Sequence, residues 1–242
     1  KTSIDFGGTE QLFHIGKGSV AIPGNIKGLL HAHSKLGVLP LKEVLSPAKD
    51  IARNGVVLSK SQSYITSLLE KILATSDGTK KLFYKNGKLI SEGDTFLNPD
   101  FADFLDWISE EGDRPFYEGE IGRKLVSYLG DDGLIKMEDL NSYKVFEREP
   151  LRHVIKDKFF FTNPSPSVGG TLIVFFLELL KRINKDYQFD NNLLIQLMIA
   201  TTNARYKFYR DPNSKDQLNQ LLREDVLNYY SNAVARNSIF DM

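Results

Sequence analysis

Apolar positions recur along this chain mostly at helical spacing, interrupted by a few short continuous apolar runs. Residues 19–24 (SVAIPG) form one such run, closed by Pro23-Gly24, after which Ile26, Leu29 and Leu30 follow at helical intervals. That order predicts a strand, a turn and a helix. Lys1-Thr2-Ser3-Ile4-Asp5 reads as the interior of a strand, which makes the chain look like a segment of something longer. Ser46-Pro47 sets a capping residue directly before a first-turn proline, and Gly55 stands where a left-handed residue closes that helix. Ile65, Leu68, Leu69, Ile72 and Leu73 then line one apolar stripe of a longer helix, with a turn after it at Asp77-Gly78.

Asn98-Pro99 repeats the cap-plus-proline device, and Phe101, Phe104, Leu105 and Ile108 supply the inner face of a helix that runs to Gly112. Two short helices are predicted over 119–129 and 137–142. From Tyr143 the pattern changes. Pro150 precedes Val154, Ile155, Phe159, Phe160 and Phe161, a run with β-propensity that predicts a pair of strands. Gly169-Gly170 opens an apolar helix over 171–183, and amphipathic helices follow over 190–209 and 216–236 with a break at Asp211-Pro212. The organisation is therefore a strand region (1–24), a helical lobe (25–142), a strand pair (143–162) and a helical part (163–242).

Composition sharpens the exclusions. With 31 Lys+Arg against 31 Asp+Glu among 242 residues, no basic field exists to hold nucleic acid. The absence of cysteine removes disulfides, thiol nucleophiles and Cys-ligated zinc, but says little about compartment. The longest apolar stretch, Thr171 to Leu180, contains Glu178 and falls short of the roughly 20 residues of a membrane span. No internal repeat or low-complexity tract is present.

Several local motifs invite a chemical reading, and each has a plainer one. His31 and His33 stand two apart on a predicted helix, so they do not form the i, i+4 pair that grips a metal. Gly16-Lys17-Gly18-Ser19 suggests a phosphate loop, but Gln11 occupies the place of its first glycine, and a turn into a strand explains it. Ser46-Pro47-Ala48-Lys49 matches SxxK, yet no KTG accompanies it and Ser46 is explained as a cap. The acidic pairs Glu110-Glu111, Asp131-Asp132 and Glu138-Asp139 lie at helix ends and turns, where solvation is their role. Thr201-Thr202 lies inside a predicted helix with no base nearby. No catalytic constellation is complete.

Taken in order, the punctuation resembles one family: the large subunit of gamma-glutamyltranspeptidases, which are N-terminal-nucleophile hydrolases. The resemblance runs from about Ile4 to Ile239. It rests on SVAIPGNIKGLLHAHSKLGVLPLKEVLSPAKDIARNGVVLS (19–59), GDTFLNPDFADFLDWISEEG (93–112), PFYEGEIGRKLV (115–126), DGLIKMEDLNSYKV (132–145), NPSPSVGG (163–170) and RDP (210–212). The order and spacing of these pieces carry the specificity. The structural motif residues are Pro23, Gly24, Gly169 and Gly170: proline fixes one φ, glycine permits a positive one, and small residues let a helix approach backbone closely.

The resemblance implies an α+β, mostly helical segment that contributes helical layers and a few strands to a four-layer αββα sandwich. It implies an autoprocessing amidohydrolase or acyltransferase of glutathione metabolism, cleaving gamma-glutamyl amides through an acyl-threonine. The partner is a small subunit whose new N-terminal threonine is both nucleophile and, through its amine, base. This chain then carries no catalytic residue, no cofactor and no metal; its heterodimer does the chemistry. Family members are often exported, although no signal is visible in this segment. The family's carboxylate-clamping arginine falls on Gly7 in Ile4-Asp5-Phe6-Gly7-Gly8-Thr9, and Lys17 is the nearest substitute. That departure favours a related N-acyl amidase of the cephalosporin-acylase branch as the alternative, with a catalytically degenerate scaffold as a third reading.

Overall fold

The structure, a computed structural model, describes residues 1–186, 188–208 and 220–237. The chain divides into two units, Lys1–Val145 and Phe146–Met242.

In the first unit, β1 (Thr2–Asp5) and β2 (Glu10–Phe13) form an antiparallel hairpin in which Asp5 faces Glu10. Gly7 and Gly8 turn it with φ of +85° and +114°, the positive pair that a tight two-residue turn requires. The predicted strand over 19–24 does not form. A single 3-10 turn, Lys17–Ser19, leads instead into extended backbone that pairs with no strand among the described residues. β-propensity sets local conformation there, but a strand also needs a partner.

Helix α1 (Asn25–Leu36) follows the Pro23-Gly24 turn, and α2 covers Leu41–Asn54. Ser46 is therefore not a cap: α2 begins one turn and more earlier, directly after Pro40, and Pro47 lies inside it. The proline is exposed, as is Glu43, whose carbonyl loses its N–H donor, so water can take the missing bond. Gly55 does close α2, with φ +87°. A Cβ there would meet the Thr95 and Leu97 side chains at 2.5 and 2.7 Å, because β3 (Val56–Val57) pairs at once with β6 (Thr95–Phe96).

The stripe at 65–73 is broken into α3 (Lys60–Leu68) and α4 (Glu70–Leu73). Thr66 and Ser67 donate their hydroxyls back to the Gln62 and Tyr64 carbonyls, a habit that bends helices, and no residue of the stripe is fully buried to hold it straight. Ser59 starts α3 with a capping box to Gln62. Asp77-Gly78 is not a turn but the first turn of α5 (Asp77–Phe83), capped by Ser76, whose hydroxyl accepts from Thr79 N. A short hairpin, β4 (Tyr84–Lys85) and β5 (Lys88–Leu89), follows.

The Asn98-Pro99 start is as read: α6 (Pro99–Glu111) is capped by the Asn98 side chain and buries Ala102, Leu105 and Ile108. It packs along α2, and the seam carries ion pairs from Lys49 to Asp106 (2.7 Å) and from Arg53 to Asp103 (2.6 Å). The bond from Lys49 holds the Asp106 carboxyl below the usual carboxylate range. Then come α7 (Arg114–Tyr117), which the periodicity does not announce, α8 (Glu120–Leu129) and α9 (Met137–Ser142). Phe116, Tyr117, Leu129, Ile135 and Leu140 form their shared core.

One side chain of that core positions α1. The α1 N-cap is Gly24, which has no side-chain oxygen, so the Lys27 N–H in the first turn lacks the acceptor a capping residue supplies. The Tyr117 hydroxyl accepts from it at 3.2 Å and donates to the Pro23 carbonyl through a short hydrogen bond. A side chain at residue 24 has to displace the Tyr143 ring, whose hydroxyl end occupies the place of its Cβ. Tyr143 in turn stacks on Tyr117, with centroids 5.7 Å apart. One tyrosine hydroxyl, its ring stacked on a second, thus caps a helix that cannot cap itself.

In the second unit, Pro150 precedes a hairpin of β7 (Leu151–Ile155) and β8 (Lys158–Thr162), the strand pair read from the sequence. Helix α10 (Val168–Ile183) begins three residues before the predicted start. With α11 (Asn191–Phe208) and α12 (Glu224–Ala235) it encloses a core that includes Phe175, Leu179, Leu197, Ala200, Leu227 and Tyr230. Full burial of one such leucine contributes about 1.5–3 kcal/mol. Ala200 and Ala204 let the helices approach, and Phe175 meets Tyr230 edge to face at 5.6 Å. The break at Asp211-Pro212 and the start of the helix read over 216–236 lie outside the described residues.

Two paired experiments test these constraints. A Cβ on Gly170 would sit 2.0 Å from the Asn163 carbonyl oxygen, whereas one on Gly169 meets nothing within 4 Å. Gly170→Ala therefore loses about 1–3 kcal/mol in urea unfolding, while Gly169→Ala gains about 0.5–1 kcal/mol through helix propensity. Equal effects at the two positions would refute the packing argument. Tyr117→Phe removes the shared cap and costs about 0.5–2 kcal/mol. Gly24→Ser, which adds a capping hydroxyl to an ordinary helix, destabilises here because Tyr143 fills its place; a stabilised Gly24→Ser would show the ring can move aside.

Candidate functional site

An open cleft of ≈ 670 Å³ lies beside this double-tyrosine cap. Its polar wall is Lys27, His31, His33, Ser34, Asp113 and Lys144; Leu30, Leu41, Tyr143 and Val145 give it apolar surface. Lys27 is the most constrained of these. Its Nζ donates to the Tyr143 carbonyl at 3.3 Å, lies 3.8 Å from Asp113 Oδ2 and sits 4.6 Å above the Tyr117 ring. Burial raises the Tyr117 hydroxyl above its ordinary pKa, opposed by the Lys27 N–H bond, so the cap hydroxyl stays protonated and able to donate.

The cleft offers binding groups and no activated nucleophile. The Ser34 hydroxyl donates to the His31 carbonyl at 2.8 Å, and His33 Nε2 lies 2.9 Å from the Leu39 carbonyl. No serine–histidine relay is formed by those bonds. Both histidines line the same cleft although they stand two apart on α1. Among the described residues no three His, Asp or Glu side chains converge on a metal position.

The motifs read from the sequence are dispersed. Gly7 sits at the tip of the β1–β2 turn, where a Cβ would have nothing within 4 Å. Asp5 Oδ1 accepts from the Gly7 and Gly8 amides at 2.9 and 3.2 Å, and those bonds hold the Asp5 carboxyl below its ordinary pKa. The tip is thus a fixed negative charge. Lys17 follows the open end of the same hairpin and carries its ammonium 5.1 Å above the Tyr128 ring. Ser46 lies within α2, while Lys49, its SxxK partner, is committed to Asp106. Thr201 donates to the Leu197 carbonyl at 2.7 Å, as a mid-helix threonine does. Glu110 faces Lys42 at 3.8 Å, and Asp139 accepts from Lys136 N.

Sequence reasoning did not find the Lys27, Asp113, Tyr117 and Tyr143 cluster. Its members are up to 116 residues apart, and no local spacing brings them together. The one available signal was Gly24 itself, a helix start without a capping side chain.

Comparison with known proteins places these features. Residues 3–241 match the gamma-glutamyltranspeptidase family. The chain is similar to the glutathione hydrolase proenzyme of Escherichia coli strain K12, at 30% identity over 196 residues, covering 80% of this chain and 33% of that protein. It is also similar to the acylase ACY 1 proenzyme of Pseudomonas sp. strain V22, at 33% identity over 168 residues, covering 69% of this chain and 30% of the other. Among solved structures, the gamma-glutamyltranspeptidase from Pseudomonas nitroreducens superposes with a TM-score of 0.77 at 26% identity, covering 91% of this chain and 67% of that one. This chain spans about a third or less of the length of the curated relatives. Continuous over nearly all its residues in sequence and alike in fold, the chain belongs to the gamma-glutamyltranspeptidase family.

Proposed function

We propose that these residues are most of the large subunit of a gamma-glutamyltransferase-like amidohydrolase or acyltransferase. The observation that carries this reading is the unbroken family match over residues 3–241 in a chain that spans only a third of its proenzyme relative from Escherichia coli. In this reading the nucleophile is an N-terminal threonine of a small subunit, freed when the precursor cleaves itself. Its hydroxyl attacks the substrate's amide carbonyl with its own amine as base, the amine product leaves, and water or an acceptor amine releases the acyl group. The large subunit contributes scaffold and binding wall, and the organisation into strand region, helical lobe, strand pair and helical part serves that role.

The substrate divides the reading in two. A gamma-glutamyl substrate presents an α-carboxylate, which the family's arginine clamps; Gly7 supplies no such group, and the Asp5 carboxylate at the same turn repels a second negative charge. Lys17 can serve only by leaving the Tyr128 ring, an exposed contact that contributes about 0.5–1 kcal/mol. These two features support an N-acyl amide lacking the α-carboxylate as a second reading beside gamma-glutamyl amide cleavage, in keeping with similarity both to glutathione hydrolases and to a protein named as an acylase.

Two measurements test this. The complete precursor separates into two polypeptides on a denaturing gel and then hydrolyses a gamma-glutamyl anilide, if weakly; faster hydrolysis of an N-acyl anilide selects the second reading. A precursor that neither splits nor hydrolyses either substrate is a degenerate scaffold, and the enzyme reading fails. In the active protein, Gly7→Arg raises kcat/KM for the gamma-glutamyl anilide about tenfold per 1.4 kcal/mol of clamp regained, and leaves the N-acyl anilide unchanged. The same variant loses stability because φ of +85° disfavours a side chain. Equal change for both substrates would show that residue 7 is remote from the bound carboxylate.

A further inference from the structure

The inner face of the β7–β8 hairpin carries a buried ionisable group that the proposed chemistry does not use. His153 is 4% exposed and sits opposite Phe160 in the strand register. Its Nδ1 lies 3.0 Å from Glu178 Oε1 on α10. An ionised carboxylate only accepts, so Nδ1 carries the proton and donates it to that bond. Nε2 is left as a bare acceptor, buried and without a hydrogen-bond partner among the described residues. A proton added at Nε2 would place a donor where none of these residues offers an acceptor.

Among the described residues, the charges around the ring come from few places. Helix α10 supplies Glu178 and, three residues on, Lys181; β8 supplies apolar Phe160 directly opposite and exposed Lys158 two residues along the same face. We propose that His153 is an acid-sensitive latch: neutral, it fastens the β7–β8 hairpin to α10 through Glu178, and protonated at Nε2 it lets the hairpin go. A two-stranded hairpin is marginally stable by itself, so its order depends on what it packs against. Burial drives the His153 pKa below its ordinary value; Glu178 pulls the other way and Lys181 adds to the lowering. The seated hairpin therefore has its full stability above the free-imidazole pKa of about 6.5 and loses it as pH falls below that.

Amide hydrogen exchange across residues 151–162 of the protein, corrected for intrinsic rates, reads this directly. An open-state imidazole titrating at about 6.5 and a seated one that takes the proton less readily make hairpin opening more frequent at pH 5.5 than at pH 7.5, by up to about tenfold. His153→Leu abolishes that change, and the exchange of α11 stays as it was. NMR titration of the unmodified protein gives His153 an Nδ1-protonated tautomer and a midpoint below 6.5. A midpoint at or above 6.5, exchange independent of pH, or a change that survives in His153→Leu would each overturn the latch. If His153→Leu does not fold, the titration of the unmodified protein decides.

Discussion

A single buried hydroxyl fixes the start of α1 in the first unit. The oxygen of Tyr117 satisfies the carbonyl that ends the Pro23 turn and the N–H that begins α1, so turn and helix are fixed to α7 rather than to each other. Remove that oxygen and two backbone groups lose their partners at once, in a place where Tyr143 leaves little room for water. The cleft depends on the same arrangement, because Lys27 is held both by its amide on Tyr117 and by its ammonium over the Tyr117 ring. Geometry of the wall and stability of the turn are therefore one property.

Both units have apolar cores, and the α2 and α6 seam adds polar pairing at its rim: Lys49, Arg53 and Lys42 meet Asp106, Asp103 and Glu110 on partly exposed surface. Exposed pairs of this kind contribute only about 0–1 kcal/mol each, so they orient α2 more than they anchor it; anchoring falls to Ala102, Leu105 and Ile108. In the second unit the helices share a dry core around Leu179 and Leu197, each fully buried. Its polar intrusions, His153, Thr171, Gln196 and Ser231, stand out for that reason.

What the sequence disclosed follows from the range of the forces involved. Several elements with local signals are where the pattern puts them: Asn98 caps α6 through a bond three residues long, Gly55 ends α2 with a positive φ, and the Phe-rich run forms a hairpin. Other readings failed, some for want of a distant partner and some, like the turn at Asp77-Gly78, because a helix takes in the punctuating residues. The apolar run at 19–24 has strand character but no neighbour to bond, and Ser46 looks like a cap only if α2 is not already under way. The cleft was illegible for the same reason, since Lys27 meets Asp113 and Tyr143 across most of the unit. His153 gave a weak local trace, alternating with apolar residues on the face that β7 turns inward.

The pairing of β3 with β6 has a consequence for how this chain tolerates change. Two residues on each side, Val56–Val57 and Thr95–Phe96, close a long excursion that carries α3, α4, α5 and a hairpin of its own. Closing a loop of this length costs on the order of 3 kcal/mol in chain entropy, and doubling it adds only about 0.6 kcal/mol. Gly55 permits the closure by letting backbone meet the Thr95 and Leu97 side chains, so the junction is strict while its contents are free. Insertions at the exposed Asn86-Gly87 turn within this excursion then cost little loop entropy, whereas deletions that remove buried Ile90, or a single added carbon at Gly55, do not spare the fold.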